Sequence, residues 1–96
     1  MTFQPEYKKD LDAAIAILKA EGCREIYVFG SLTEGGTIHP STDIDIAVRG
    51  LPRPKFFVIY GKLLSSLEHS VDLIDLDGGT PFARILEGKG TLHRVA

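Results

Sequence analysis

Asp43-Ile44-Asp45-Ile46-Ala47-Val48-Arg49 is the stretch that decides the reading of this chain. Its polar and apolar residues alternate, which is the period of a β-strand with two unlike faces. Residues i and i+2 of a strand project to the same side, so Asp43 and Asp45 stand together while Ile44, Ile46 and Val48 turn inward. Two like charges so placed repel unless something compensates them. A divalent cation with oxygen ligands would do so, and Mg²⁺ usually takes one or two carboxylates together with substrate phosphates. An Asp-x-Asp on its own fits the wet face of an edge strand equally well, so its neighbours in sequence matter.

Upstream, residues 24–29 (Arg24 to Phe29) are β-branched and aromatic and read as a buried strand that stops at Gly30-Ser31. A glycine there lets the backbone approach a ligand closely, and the amides that follow, with the Ser31 hydroxyl, form a candidate phosphate cradle. The segment from Leu32 to Thr42 is rich in Gly, Thr, Ser and Pro and reads as loop, with one helical turn expected at its start. Downstream, Val71-Asp72-Leu73-Ile74-Asp75 reads as a third strand. Asp72 can face the same site as Asp43 and Asp45. Asp75 is the alternative third acid, and alternation puts it on the opposite face, so only one of the two can belong to the site.

Helices fill the remainder. Leu11, Ala14, Ile15 and Leu18 follow helical spacing over residues 5–21, with Pro5 at the start and Gly22 placed to end it. A second helix is expected over residues 55–68, with Phe56, Ile59, Tyr60, Leu63 and Leu67 as its buried face, and a third over residues 81–87. Phe57 and Leu64 widen the apolar face of the second helix toward a partner chain, a second copy included. The helical crossover predicts that the second and third strands are parallel, while the loop between the first and second allows either direction. The fold class expected is α/β (α+β), a small mixed β-sheet with flanking helices, forming a single domain over residues 1–96.

The bulk numbers narrow the function. Eleven basic and thirteen acidic residues give a net charge of −2, with no basic stripe to track extended nucleic acid. The lone Cys23 excludes an intramolecular disulfide and a Cys-based zinc set. No segment has the length of a membrane span or the layout of a secretory signal, so the expected location is cytoplasmic. His39 reads as an exposed loop residue, His69 as a cation suited to a helix C-terminus, and His93, near the C-terminus, as either packed or frayed. Arg53 and Lys55, on the Pro-rich break, read as solubilising residues, with phosphate contact the sharper alternative.

Gly30-Ser31, eleven residues, Asp43-Ile44-Asp45-Ile46 and a later Val71-Asp72-Leu73 together resemble the signature of the DNA polymerase beta-type nucleotidyltransferase superfamily. The short length resembles the minimal nucleotidyltransferases (MNT), antitoxin partners of helical HEPN-domain proteins. That resemblance implies a polymerase beta palm-like fold, with Gly30 and Ser31 at the nucleotide phosphates and Asp43, Asp45 and Asp72 as both the catalytic and the metal residues. It implies two Mg²⁺ ions, ATP as substrate, and transfer of AMP to a hydroxyl on a HEPN-type toxin. The chain departs from the pattern at Leu32-Thr33-Glu34, where many minimal members carry basic residues. The alternative function is therefore a catalytically weak or inactive module that neutralises its partner by contact.

Overall fold

The computed structural model describes residues 5–30, 43–90 and 92–96. Helix α1 (Pro5–Ala20) leads into strand β1 (Glu25–Phe29), followed by β2 (Ile44–Arg49), α2 (Phe56–Ser66), β3 (Val71–Asp75), α3 (Pro81–Lys89) and β4 (His93–Arg94). The sheet order is β3-β2-β1-β4. β2 and β3 are parallel, as the crossover through α2 requires, whereas β1 runs antiparallel to both β2 and β4.

The alternation in β2 builds two cores. Ile44, Ile46 and Val48 are fully buried with Ile26 and Val28 of β1 and Leu73 of β3, beneath Leu11, Ala14 and Leu18 of α1 and Ile59 and Leu63 of α2. On the other face Ala47 joins Phe29, Leu76, Ala83 and Leu86, so α3 is the helix that covers that side among the described residues. Large aliphatic side chains dominate the first core, each contributing about 1.5–3 kcal/mol of transfer free energy on full burial. The second is smaller and shields only part of its face.

Local signals explain the boundaries. Gly22 adopts φ 91° just beyond α1, and its amide returns to the Lys19 carbonyl at 3.0 Å. Thr80 caps α3 through a 3.2 Å bond from the Ala83 amide, and Pro81 occupies the first turn, where its missing N–H costs nothing. Cys23 is buried at the junction of α1 and β1, its thiol 3.4 Å from the carbonyl oxygens of Glu25 and Arg49.

Two expectations need correction. A fourth strand exists: His93 and Arg94 pair with Val28 and Tyr27, which a two-residue strand cannot announce through periodicity. His69 does not end a helix. It follows α2 in a turn, stacks on Tyr7 at 4.2 Å and sets Nδ1 2.7 Å from the Asp10 carboxylate. Asp10 is 3% exposed and also accepts bonds from the Glu68 and His69 amides at 3.1 and 2.8 Å, tying α1 to the entry of β3.

Candidate active site

The strand register gathers the acids at one end of the sheet. Asp45 is opposite Asp72 across the parallel β2–β3 pair and opposite Phe29 across the antiparallel β1–β2 pair. Asp45 is half-buried and Asp72 exposed, and both belong to the α3 face of the sheet. Asp43 immediately precedes β2 and is exposed. No ion pair among the described residues includes Asp43 or Asp72.

Gly30 follows β1 with φ 77°, a left-handed conformation that residues with a Cβ rarely adopt. A Cβ built there would overlap the Asp45 carboxylate. The β1 exit is therefore packed directly on the central acid, and only glycine allows this approach. Ser31, Glu34, His39 and the turn expected at Leu32 lie outside the described residues.

Asp75 has another task. Its Oδ1 accepts the Asp77 amide at 2.9 Å and caps the 3-10 turn Leu76–Gly78. Of the two rival acids, Asp72 is the one that the register sets beside Asp45. Arg53 and Lys55 lie beyond the far end of β2, where Arg49 pairs with Glu25. Arg53 donates to the Asp77 carbonyl at 2.8 Å, and Lys55 is 3.9 Å from Glu21. Both are thus remote from the acids.

The sequence reading missed one polar neighbour. Tyr60, assigned to the buried face of α2, brings its hydroxyl to the edge of β3, 3.0 Å from the Val71 carbonyl and 3.3 Å from Asp72 Oδ1. Burial, and then the negative charges of Asp72 and Asp43, raise the pKa of this phenol, against a hydrogen bond from the Leu73 amide. The hydroxyl therefore stays protonated and able to donate. Helical spacing marked the ring as core but carried no sign of where its para position would reach.

Among the described residues no three His, Cys, Asp or Glu side chains are drawn together to hold a metal ion. The donor set nonetheless suits a hard cation: carboxylate oxygens only, register-paired, with backbone at Gly30 approaching Asp45 as no other residue would permit.

Ten solved chains match this one in structure. A toxin–antitoxin structure with AMP-PNP has TM-score 0.67 and 29% identity, covering 95% of this chain and 72% of the other. A tri-AMPylated Shewanella oneidensis HEPN toxin in complex with MNT antitoxin matches with TM-score 0.56 and 29% identity, covering 76% and 58%. A structure assigned to a minimal nucleotidyltransferase matches with TM-score 0.67 and 18% identity, covering 94% and 91%. The fold is that of the minimal nucleotidyltransferases. Neighbours of the MNT–HEPN type agree with the expectation drawn from the ordered Gly-Ser, Asp-x-Asp and third-Asp motifs. No protein-family model matches the sequence, and neither does any curated protein. No helix among the described residues is long and apolar enough to cross a membrane.

Proposed function

We propose that this minimal nucleotidyltransferase fold transfers AMP from ATP to a hydroxyl group on a helical HEPN-type partner, with Mg²⁺ as the required cation. The observation that carries the reading is the pairing of Asp45 with Asp72, two acids directly opposite each other on adjacent strands, with Gly30 packed against one of them. The MNT–HEPN neighbours support the partner class, and the AMP-PNP neighbour supports the nucleotide.

Asp43, Asp45 and Asp72 would hold the cations, two ions if the polymerase-type arrangement applies. Mg²⁺ there would offset the charge of the triphosphate and of the departing pyrophosphate. Gly30 keeps the β1 exit close against Asp45, and Ser31 is assigned to the phosphates by its position in the sequence. Asp72, the most open of the paired acids, would accept the proton of the acceptor hydroxyl. That oxygen forms a bond to the α-phosphorus as the bond to pyrophosphate breaks. The acceptor would dock on the apolar outer side of α2, where Phe57 is 81% and Val58 74% exposed.

The contact-only module is favoured by one observation, that the described carboxylates are not drawn together around a cation position. One experiment separates the two readings: the purified partner is incubated with labelled ATP, Mg²⁺ and either wild-type chain or Asp43→Ala/Asp45→Ala. Label on the partner with wild type alone supports transfer. A stable complex that ignores both ATP and the substitutions, with no label, supports the contact-only module.

A further inference from the structure

We propose that Tyr60 is the positioning residue for Asp72, fixing one carboxylate oxygen so that the other is presented to a cation. The inference rests on the metal-site reading above and goes beyond it, because Tyr60 belongs to none of the motifs that suggested that reading. Asp72 lies on β3, at the edge of the sheet, and among the described residues no strand beyond it restrains its side chain. It is exposed and has no cationic partner among the described residues. A carboxylate in that setting loses rotamer freedom when it binds a cation, and is pushed by Asp45 across the ladder toward solvent.

Tyr60 opposes both effects. Its ring is half-buried and anchored edge-on to Phe56, with centroids 6.0 Å apart at 84°. From that anchor the hydroxyl reaches around the edge of β3 to the Val71 carbonyl at 3.0 Å and Asp72 Oδ1 at 3.3 Å. A single proton shared between these acceptors ties the acid to its own strand and leaves Oδ2 for a metal. Partners of this kind, one bond removed from the cation, typically change metal affinity by about 10–100-fold.

The test uses Mn²⁺ as the probe cation, with AMP-PNP, and reads bound metal by electron paramagnetic resonance. Tyr60→Phe keeps the ring and removes only the hydroxyl. It is expected to weaken Mn²⁺ binding about 10-fold while the protein remains folded. Phe56→Leu loosens the anchor but keeps the hydroxyl, so it should lower the melting temperature with a much smaller change in Mn²⁺ affinity. In an Asp72→Ala background Tyr60→Phe should have no further effect on affinity, because the residue it acts through is gone. If Asp72→Ala weakens Mn²⁺ binding and Tyr60→Phe does not, the Tyr60 role is overturned and the metal site stands. If Asp72→Ala itself leaves Mn²⁺ binding unchanged, the site reading fails and the Tyr60 role with it.

Discussion

Asp45 and Asp72 are direct neighbours across the parallel β2–β3 pair, two carboxylates on the same face where a sheet ordinarily sets complementary partners. Like charges directly opposite destabilise a sheet, on the order of several tenths of a kcal/mol. Asp72→Asn keeps an acceptor for the Tyr60 hydroxyl and removes the charge. Without ligand it should melt at a slightly higher temperature than wild type. With ATP and Mg²⁺ together the order should invert. Saturation at 100 times the dissociation constant adds about 2.7 kcal/mol to wild type, and most of that gain should be absent from the variant. Differential scanning fluorimetry in both conditions checks the inversion; equal shifts in the two proteins would remove Asp72 from the site.

Gly30 offers a sharper test of the same end of the sheet. Alanine there must adopt φ 77° and displace the Asp45 carboxylate. The left-handed conformation costs roughly 1–2 kcal/mol for a non-glycine residue, and moving the acid adds to it. Gly30→Ala should therefore lower the melting temperature by about 4–8 °C or more and abolish the joint ATP–Mg²⁺ shift. Gly79→Ala is a control for backbone strain alone, since it has φ 67° with nothing within 4 Å of an added Cβ. It should lose stability but keep the ligand response.

These two acids and this glycine were legible in the sequence because each depends on short-range order. Alternation in Asp43–Arg49 fixed which side chains share a face, and the crossover between β2 and β3 fixed their direction. The face of β3 that carries Asp72 followed from the same period of two. Long-range polar contacts left no such trace. Tyr60 and Asp72 are 12 positions apart, and Asp10 and His69 are 59 apart, so nothing local couples them. β4 was invisible because two residues cannot display a period, and its pairing depends on β1 offering a free edge. Asp75 accepts the Asp77 amide as an Asx-type cap, a detail of loop geometry rather than of composition.

The Asp10–His69 contact makes the stability of the fold depend on pH. Burial acts to raise the Asp10 pKa, but bonds from the Glu68 and His69 amides and the His69 ring outweigh it and hold the acid below its ordinary value. A depressed carboxylate contributes stability that is present above its unfolded pKa and is lost as pH falls through the folded value. The contribution is thus intact at neutral pH and disappears in the acid range below about pH 4. Asp10→Asn keeps the shape and one acceptor but loses the charge. It should cost about 1–3 kcal/mol at pH 7, and its stability should fall less than that of wild type between pH 5 and pH 2. Urea unfolding across that range reads both effects, and parallel curves would assign the acid sensitivity to other groups.

On the outer faces of the helices the expectation concerns binding without stability. Phe57, Val58 and Leu64 of α2 are 81%, 74% and 53% exposed, so replacing them removes little from the core. Phe57→Ser/Leu64→Ser should leave the melting temperature within about 2 °C of wild type, as surface substitutions usually do. If this face is where the acceptor protein docks, the same variant should form complex at least 10-fold more weakly by calorimetry. Full binding by the variant would move the interface off α2.

Arg49 determines whether α3 keeps its place over the second core. Its guanidinium lies 2.9 Å from Glu87 of α3, 3.6 Å from Asp77 and 3.9 Å from Glu25, and Glu25 in turn accepts a hydrogen bond from the Tyr27 hydroxyl. Isolated surface pairs contribute little, but here one planar fork joins the end of β2 to the turn before α3 and to the helix itself. α3 buries only Ala83 and Leu86, whereas α1 buries Tyr7, Leu11, Ala14 and Leu18, so its docking depends on polar contacts more than that of α1 does. Arg49→Met should destabilise the protein by about 1–2 kcal/mol. Arg49→Lys should recover less than half of that, because an ammonium cannot meet the acids of three separate elements in one geometry. Hydrogen exchange should show the loss concentrated in α3, with α1 and the β1–β2 pair protected as in wild type. Uniform loss across all elements would mean that α3 unfolds with the rest of the domain rather than detaching first.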